Sequence, residues 1–192
     1  MILTLTPNPS TDLTLTLGEQ LQRDSVQPLQ SVTSVAGGKG INVSNACTLA
    51  GVDTLALFPA AANDPFLELL KAINIRHQAI QNDGAVRTNT TITEPDGTTT
   101  KLNGPGSLLS DAARAEVERT LITVAKEATW VVMSGSLPPG APTDWYSALT
   151  AQLRNAYPHI NIAVDTSDAP LLSLAENLDS AAPTVIKPNG LE

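Results

Sequence analysis

The sequence predicts an α/β fold, a doubly wound and mostly parallel sheet with a second, smaller β-sheet laid over it. Three features point there. From residue 110 onward, strand, loop and helix patterns recur about every 25–30 residues, the rhythm of a parallel sheet with helical crossovers. Two threonine-rich alternating stretches, at 11–35 and 85–102, interrupt that rhythm. Three apolar strand patterns run out into polar segments, "SGSLPPG", "VDTS" and "IKPNGLE", and open α/β sheets bind their ligands beyond such strand ends.

The elements follow in order. Residues 2–6 alternate and are rich in aliphatic and β-branched types, predicting a strand that stops at Pro7. Residues 11–17 alternate again, with Leu13, Leu15 and Leu17 on one face and threonines on the other. Residues 26–35 form a weaker extended stretch. A helix is predicted over 40–50, with Ile41, Ala46 and Leu49 as its apolar positions. Residues 53–58 read as a short apolar strand. Asn63 or Asp64 can cap the next helix, with Pro65 at its first position and Phe66, Leu69, Leu70 and Ile73 on its buried face. "EPDG", at 94–97 between alternating runs 85–93 and 98–102, is a turn, so those runs form a hairpin. Ser110 caps a long helix with Ala113, Val117, Leu121, Val124 and Ala128 at helical spacing. A buried strand over 130–133 precedes a helix over 142–155 with Trp145, Leu149 and Leu153 inward. A strand over 160–164, a short helix over 170–176 and a strand over 184–186 complete the pattern.

Hydrophobic residues make up 42% and charged residues 16% of the 192 residues, a globular composition. The net charge of −8 argues against a broad nucleic-acid or anionic-membrane surface, though not against one small anion held locally. Cys47 is the single cysteine and His77 and His159 are the only histidines. A disulfide framework, a thiolate metal cluster and a zinc site are therefore not expected. With no apolar run of membrane-spanning length and no signal-peptide pattern at the start, the sequence predicts a cytoplasmic protein without a membrane partner.

Gly37-Gly38-Lys39-Gly40, directly before the first helix, fails the P-loop pattern because Gly40 follows Lys39 where Ser or Thr is required. It also fails the dinucleotide fingerprint at Val43. Glycines at a helix start still allow close backbone approach, the free N–H groups point outward, Lys39 adds charge and Asn42 adds an amide. The loop admits two readings, an anion cradle or a tight turn with a solvated lysine. Asp12 is either a ligand-binding carboxylate or a solvated strand end. Arg87 and Asn89 share one face, with Lys101 on the partner strand. That face suits a sugar phosphate, since Arg grips phosphate through two N–H groups, and it equally suits the exposed side of an edge hairpin. Ser134 and Gly135 are small residues at the exit of a buried strand.

"AGGKGIN" after a threonine-rich sheet, then "SGSLPPG", "VDTS" and "IKPNGLE" in that order, resembles the PfkB carbohydrate kinases of the ribokinase-like fold. "TLTPNPSTD" and "RTNTTITEPDGT" are most similar to the hexose-phosphate branch of that family. The resemblance implies a ribokinase-like doubly wound sheet with a small β-sheet lid, the lid covering the sugar site and offering a homodimer surface. It implies ATP-dependent phosphorylation of a ketohexose phosphate such as fructose 1-phosphate, with ATP and Mg²⁺ as cofactors. By resemblance, Asp12 holds sugar hydroxyls, Gly37, Gly38, Lys39 and Asn42 contact the sugar, Arg87 binds its phosphate and Asn89 fixes it. Ser134 lines the sugar end and Lys101 belongs to the lid. Asp165, Lys187 and Asn189 fall on the nucleotide side, and the N-x-x-E pattern of Asn189 and Glu192 organises Mg²⁺ through Glu192 and water. Two departures stand out. "PAAAND", at 59–64, occupies a place where the family carries glycines, and the Gly-Ala-Gly-Asp motif that supplies the family's aspartate base is absent from the 192 residues. The expectation is therefore an N-terminal portion, 1–192, of one ribokinase-like domain, with its nucleotide-binding and catalytic remainder beyond Glu192 and no catalytic residue of its own. A non-catalytic sugar-phosphate-binding module is the alternative from another class.

Overall fold

The computed structural model describes residues 1–188. Six strands build the larger sheet: β1 (Ile2–Leu5), β4 (Thr54–Ala60), β5 (His77–Gln81), β8 (Trp130–Ser134), β9 (Asn161–Asp165) and β10 (Val185–Ile186). Their order is β10-β9-β8-β1-β4-β5, and every pairing is parallel. The chain leaves β1 toward β4 and β5, then returns across the sheet to β8. The strand order thus reverses between β1 and β8, the switch point that opens a crevice at the carboxyl ends.

Helices cover both faces, as strands buried on both sides require. On one face, α1 (Lys39–Leu49) and α2 (Phe66–Ala72) bury Ile41, Phe66 and Leu70 against Ala56 and Phe58. Phe58 and Phe66 meet edge to face, with ring centroids 5.4 Å apart. On the other face, α3 (Asp111–Ala125), α4 (Trp145–Ala156) and α5 (Asp168–Glu176) pack Val117, Leu121, Trp145, Leu149 and Leu174 onto Leu3, Leu5, Val131 and Ile162. A short α6 (Leu178–Ala181) leads into β10. Ser110 caps α3 as its sequence implies, its hydroxyl accepting from the Ala113 N–H at 3.1 Å. Among the described residues, no helix is long and apolar enough to cross a membrane.

The second sheet is mixed. Its strands β2 (Ser10–Leu17), β3 (Leu29–Gly37), β6 (Arg87–Thr93) and β7 (Thr99–Asn103) run in the order β3-β2-β6-β7. The hairpin around 94–97 is present, with the Glu94 N–H donating to the Thr98 carbonyl at 2.9 Å and Gly97 at φ 88°. The β2–β6 pairing is parallel and joins the two sequence-distant pieces.

Two expectations are corrected. No strand was read at 77–81, because "HQAIQ" buries only Ile80 and lacks an apolar run. It forms nonetheless as the sheet's edge beside β4. Leu49, one of the apolar positions that mark α1 in the sequence, is 81% exposed. The helix instead seats small residues: Gly40 and Ser44 are buried, and the Ser44 and Thr4 hydroxyls are bonded at 2.8 Å. A polar position on β1 thus selects a polar partner on the helix.

Candidate active site under the lid

The small sheet stands over the carboxyl ends of β1, β8 and β9 and encloses a polar cleft of about 330 Å³. Strand register decides what faces it. Ser10 pairs with Gly37 and Arg87, Asp12 with Asn89, and Asn89 with Asn103. Paired residues of neighbouring strands share a face, so these polar side chains converge on the cleft side. Leu13, Leu15, Val32, Ile92 and Leu102 fall on the opposite side of the lid.

Of the residues expected from sequence, Asp12, Gly38, Lys39, Asn42, Arg87 and Asn89 line the cleft. The Asp12 carboxylate is held through Oδ1 alone, which accepts from Ser10 Oγ at 2.7 Å and Asn89 Nδ2 at 3.2 Å. Arg87 donates from one terminal nitrogen to the Gly104 carbonyl at 3.2 Å. Burial pushes the Arg87 guanidinium below its ordinary pKa, and Asp12 partly restores it. Arg87 Nε and Asn89 Oδ1 are buried without a hydrogen-bond partner. An orphaned buried polar atom costs on the order of 1–3 kcal/mol, so a ligand that bonded these atoms would offset a standing penalty.

The glycines before α1 have separate physical reasons. A Cβ on Gly37 would lie 2.2 Å from Asp12 Oδ2, so Gly37 makes room for the carboxylate. Gly38 adopts φ 115°, a left-handed conformation that favours glycine. A Cβ on Gly40 would lie 2.4 Å from Thr6 Oγ1, so Gly40 lets the helix start sit on the end of β1. The first-turn N–H groups of α1 have no intrahelical partner and open toward the cleft beside Lys39. Lys39 Nζ is bonded to Asp165 Oδ1 at 2.7 Å, and Lys187 Nζ lies 3.9 Å from Asp165 Oδ2. Asp165 and Lys187 thus stand behind Lys39 and are not among the residues that line the cleft. Asn189 and Glu192 lie outside the described residues.

Three placements differ from the sequence reading. Gly37 shapes Asp12 and is not itself on the wall. Ser134 is 1% exposed and its hydroxyl is buried without a hydrogen-bond partner; the next two residues, Gly135 and Ser136, line the cleft instead. Lys101, in lid strand β7 as expected, is exposed opposite Thr91, two residues nearer the hairpin tip than Asn103, and is not among the cleft-lining residues. Asn8, Ser10, Asn103 and Ser167 line the cleft although they were not singled out. The alternation Asn8, Ser10, Asp12 carried a usable signal for two of them. Gly135 is held at φ 114° by its own N–H donating to the Asp165 carbonyl at 2.9 Å. Its carbonyl accepts from Tyr146 Oη at 2.9 Å and Thr166 Oγ1 at 3.2 Å. The "PAAAND" segment does not face the cleft: Ala60 ends β4, buried, and Asp64 turns toward the backbone of 66 and 86. A larger open depression of about 490 Å³ lies at the amino ends of β8 and β9, away from these groups.

The lidded cleft at the switch point of the doubly wound sheet is thus lined by one carboxylate, two basic groups and several amides. The chain belongs to the pfkB family of carbohydrate kinases, whose pattern matches residues 8–192. It is 34% identical over 190 residues to a 1-phosphofructokinase of Xanthomonas campestris pv. campestris, covering 97% of this chain and 59% of that protein. It is 31% identical over 191 residues to a tagatose-6-phosphate kinase of Staphylococcus epidermidis, covering 98% and 60%. A possible 1-phosphofructokinase from Thermotoga maritima superposes with a TM-score of 0.87 at 27% identity, over 98% of this chain and 60% of that one. Arabidopsis thaliana ribokinase shares the fold, with a TM-score of 0.70 at 16% identity over 99% and 60%. The fold is thus ribokinase-like, and the chain spans about 60% of the length of the curated relatives it matches.

Proposed function

We propose that this chain is the sugar-phosphate-holding part of an ATP-dependent ketohexose-phosphate kinase acting in the cytoplasm, with fructose 1-phosphate as its substrate. The observation that carries this is the lid face, where a desolvated Arg87 and a fixed Asp12 carboxylate stand across from the α1 amides and Lys39. Asp12 would accept from sugar hydroxyls, Asn42, Asn89 and Asn103 would orient the ring, and Arg87 would grip the phosphate already present. Held this way, the hydroxyl to be phosphorylated points toward the Asp165 side, where Lys187 would meet the nucleotide phosphates. Positioning and charge neutralisation supply most of the rate in phosphoryl transfer, and lid closure excludes competing water.

ATP is part of the proposal by family. Among the described residues no cluster of three potential metal ligands occurs, and Asp165 faces two lysines. The outward lid face, with Val32 and Leu102 each 57% exposed, supports a homodimer formed through the lid.

Titration calorimetry of the 192-residue chain tests the reading. Fructose 1-phosphate is expected to bind more tightly than fructose, and Arg87→Ala is expected to remove at least tenfold of that affinity, the worth of a charged hydrogen-bond pair. Tagatose 6-phosphate belongs in the same series, because the Staphylococcus epidermidis relative carries that substrate in its name. Equal affinity for fructose and both sugar phosphates refutes the proposal.

A further inference from the structure

Residues 82–86 carry the chain out of β5 and into the lid, delivering Arg87 as the first residue of β6. A carboxylate from another element ties that link down. Asp64 is 8% exposed. Its Oδ1 accepts from the Phe66 N–H at 2.9 Å, at the start of α2, and its Oδ2 accepts from the Val86 N–H at 2.7 Å. One carboxylate therefore fastens the lid link to the main body through two backbone amides. Hydrogen bonds from backbone N–H groups to an ionised carboxylate are among the stronger ones.

What lies downstream gives the tether its consequence. Val86 packs against the α2 side of the core, so the residue before Arg87 is fixed by a hydrogen bond and by packing. Arg87 then begins β6 opposite Ser10 and donates to the Gly104 carbonyl. Its Nε is buried without a partner, and partial burial of the guanidinium lowers its pKa. A guanidinium in that state recognises phosphate through a rigid fork, and such recognition tolerates errors of only about 0.5 Å. The other crossings have their own ties: Asn8 Nδ2 donates to the Pro105 carbonyl at 3.1 Å, and Asn82 bonds Leu108 and Ser110. Of these side-chain ties, the Asp64 bond is the one that lands on the residue just before Arg87.

We propose that Asp64 is a positioning residue: by pinning the Val86 amide it sets where Arg87 enters the cleft, and so sets the site's preference for a phosphorylated over an unphosphorylated ketohexose. This rests on the sugar-phosphate reading above. Asp64 touches neither the cleft nor a ligand in it and acts through Arg87.

Two measurements on the 192-residue chain test it. Calorimetry with fructose 1-phosphate and with fructose gives the ratio of affinities. Asp64→Ala is expected to lower fructose 1-phosphate affinity about tenfold and to leave fructose within twofold. Asp64→Asn, which keeps the volume and one acceptor oxygen, is expected to fall between and covers the case in which Asp64→Ala does not fold. A general loss of stability would weaken both sugars alike, so an unchanged ratio overturns the proposal. The second measurement is amide hydrogen exchange. Exchange over 86–89 is expected to accelerate at least tenfold in either variant while 113–125 in α3 stays unchanged. If the unsubstituted chain fails to bind fructose 1-phosphate, the sugar-phosphate reading falls, and the exchange data alone decide the tether. Unchanged exchange over 86–89 overturns it.

Discussion

Gly37→Ala isolates the relation between the glycine loop and the Asp12 carboxylate. An added Cβ would meet Asp12 Oδ2 at 2.2 Å, Cγ at 2.3 Å and Oδ1 at 2.6 Å, all closer than real contacts allow. Asp12 cannot simply swing away, because Ser10 and Asn89 both bond its Oδ1. Overpacking of this kind costs about 1–3 kcal/mol. Replacing glycine by alanine at a compatible backbone position returns roughly 0.4–1 kcal/mol through the unfolded state, and Gly37 is not in the left-handed region. The net expectation is a loss of about 1–2 kcal/mol, or a melting temperature lower by about 2–8 °C for a chain of this size. The decisive comparison is the same substitution in an Asp12→Ala background, followed by thermal or urea unfolding. The three nearest atoms are then gone, so Gly37→Ala is expected to be neutral or stabilising by up to about 1 kcal/mol, giving a coupling of about 1–3 kcal/mol. An equal loss in both backgrounds would show that Gly37 is not there to accommodate Asp12.

Two further predictions concern stability. Leu121→Ala, at a fully buried position, is expected to cost about 2–5 kcal/mol, whereas Leu49→Ala on the exposed side of α1 is expected to stay within about 0.5 kcal/mol; urea unfolding of the two variants checks the contrast. Burial, with Asp165 adding to it, pushes the Tyr146 hydroxyl far above its ordinary pKa of 10.0. The unfolded chain therefore releases that proton first, so the stability Tyr146 contributes is complete below about pH 10 and declines as pH rises above it. Tyr146→Phe is expected to flatten that alkaline decline in unfolding free energy measured between pH 9 and pH 11, and an unaltered slope would contradict it.

The scaffold was legible wherever hydrophobic period and capping agreed. Ser110, Trp145, Leu149 and Leu153 behave as their spacing indicates, because helices this amphipathic have one way to bury their apolar stripe. β5 was not legible, since an edge strand buries little and Ile80 alone leaves no alternation to read. Leu49 misled for the opposite reason: α1 packs through Gly40 and Ser44, and a helix that approaches a sheet by small residues leaves its larger ones outside. At the site, motif residues near the turns were found, but their exact facing was not. Ser134 and Gly135 exchange roles because a strand's last residue follows the pleat while the next escapes it. Asn103 was invisible because its place opposite Asn89 depends on hairpin register, whereas Ser167 lay within the "VDTS" strand exit without being distinguishable there from its neighbours.

The contact between Lys39 and Asp165 has an effect beyond the two residues. It gives the cleft a built-in counter-ion: the most available positive charge at the helix start is already neutralised at 2.7 Å. The molecule around it carries a formal charge of −8. Beyond about 8 Å, the screening distance in physiological salt, an approaching anion meets a like-charged body, and within the cleft Arg87 rather than Lys39 is the cation without a carboxylate bonded to it. An anion that reached Lys39 would have to displace Asp165 from it, and the carboxylate would then have only Lys187, 3.9 Å away, to turn to.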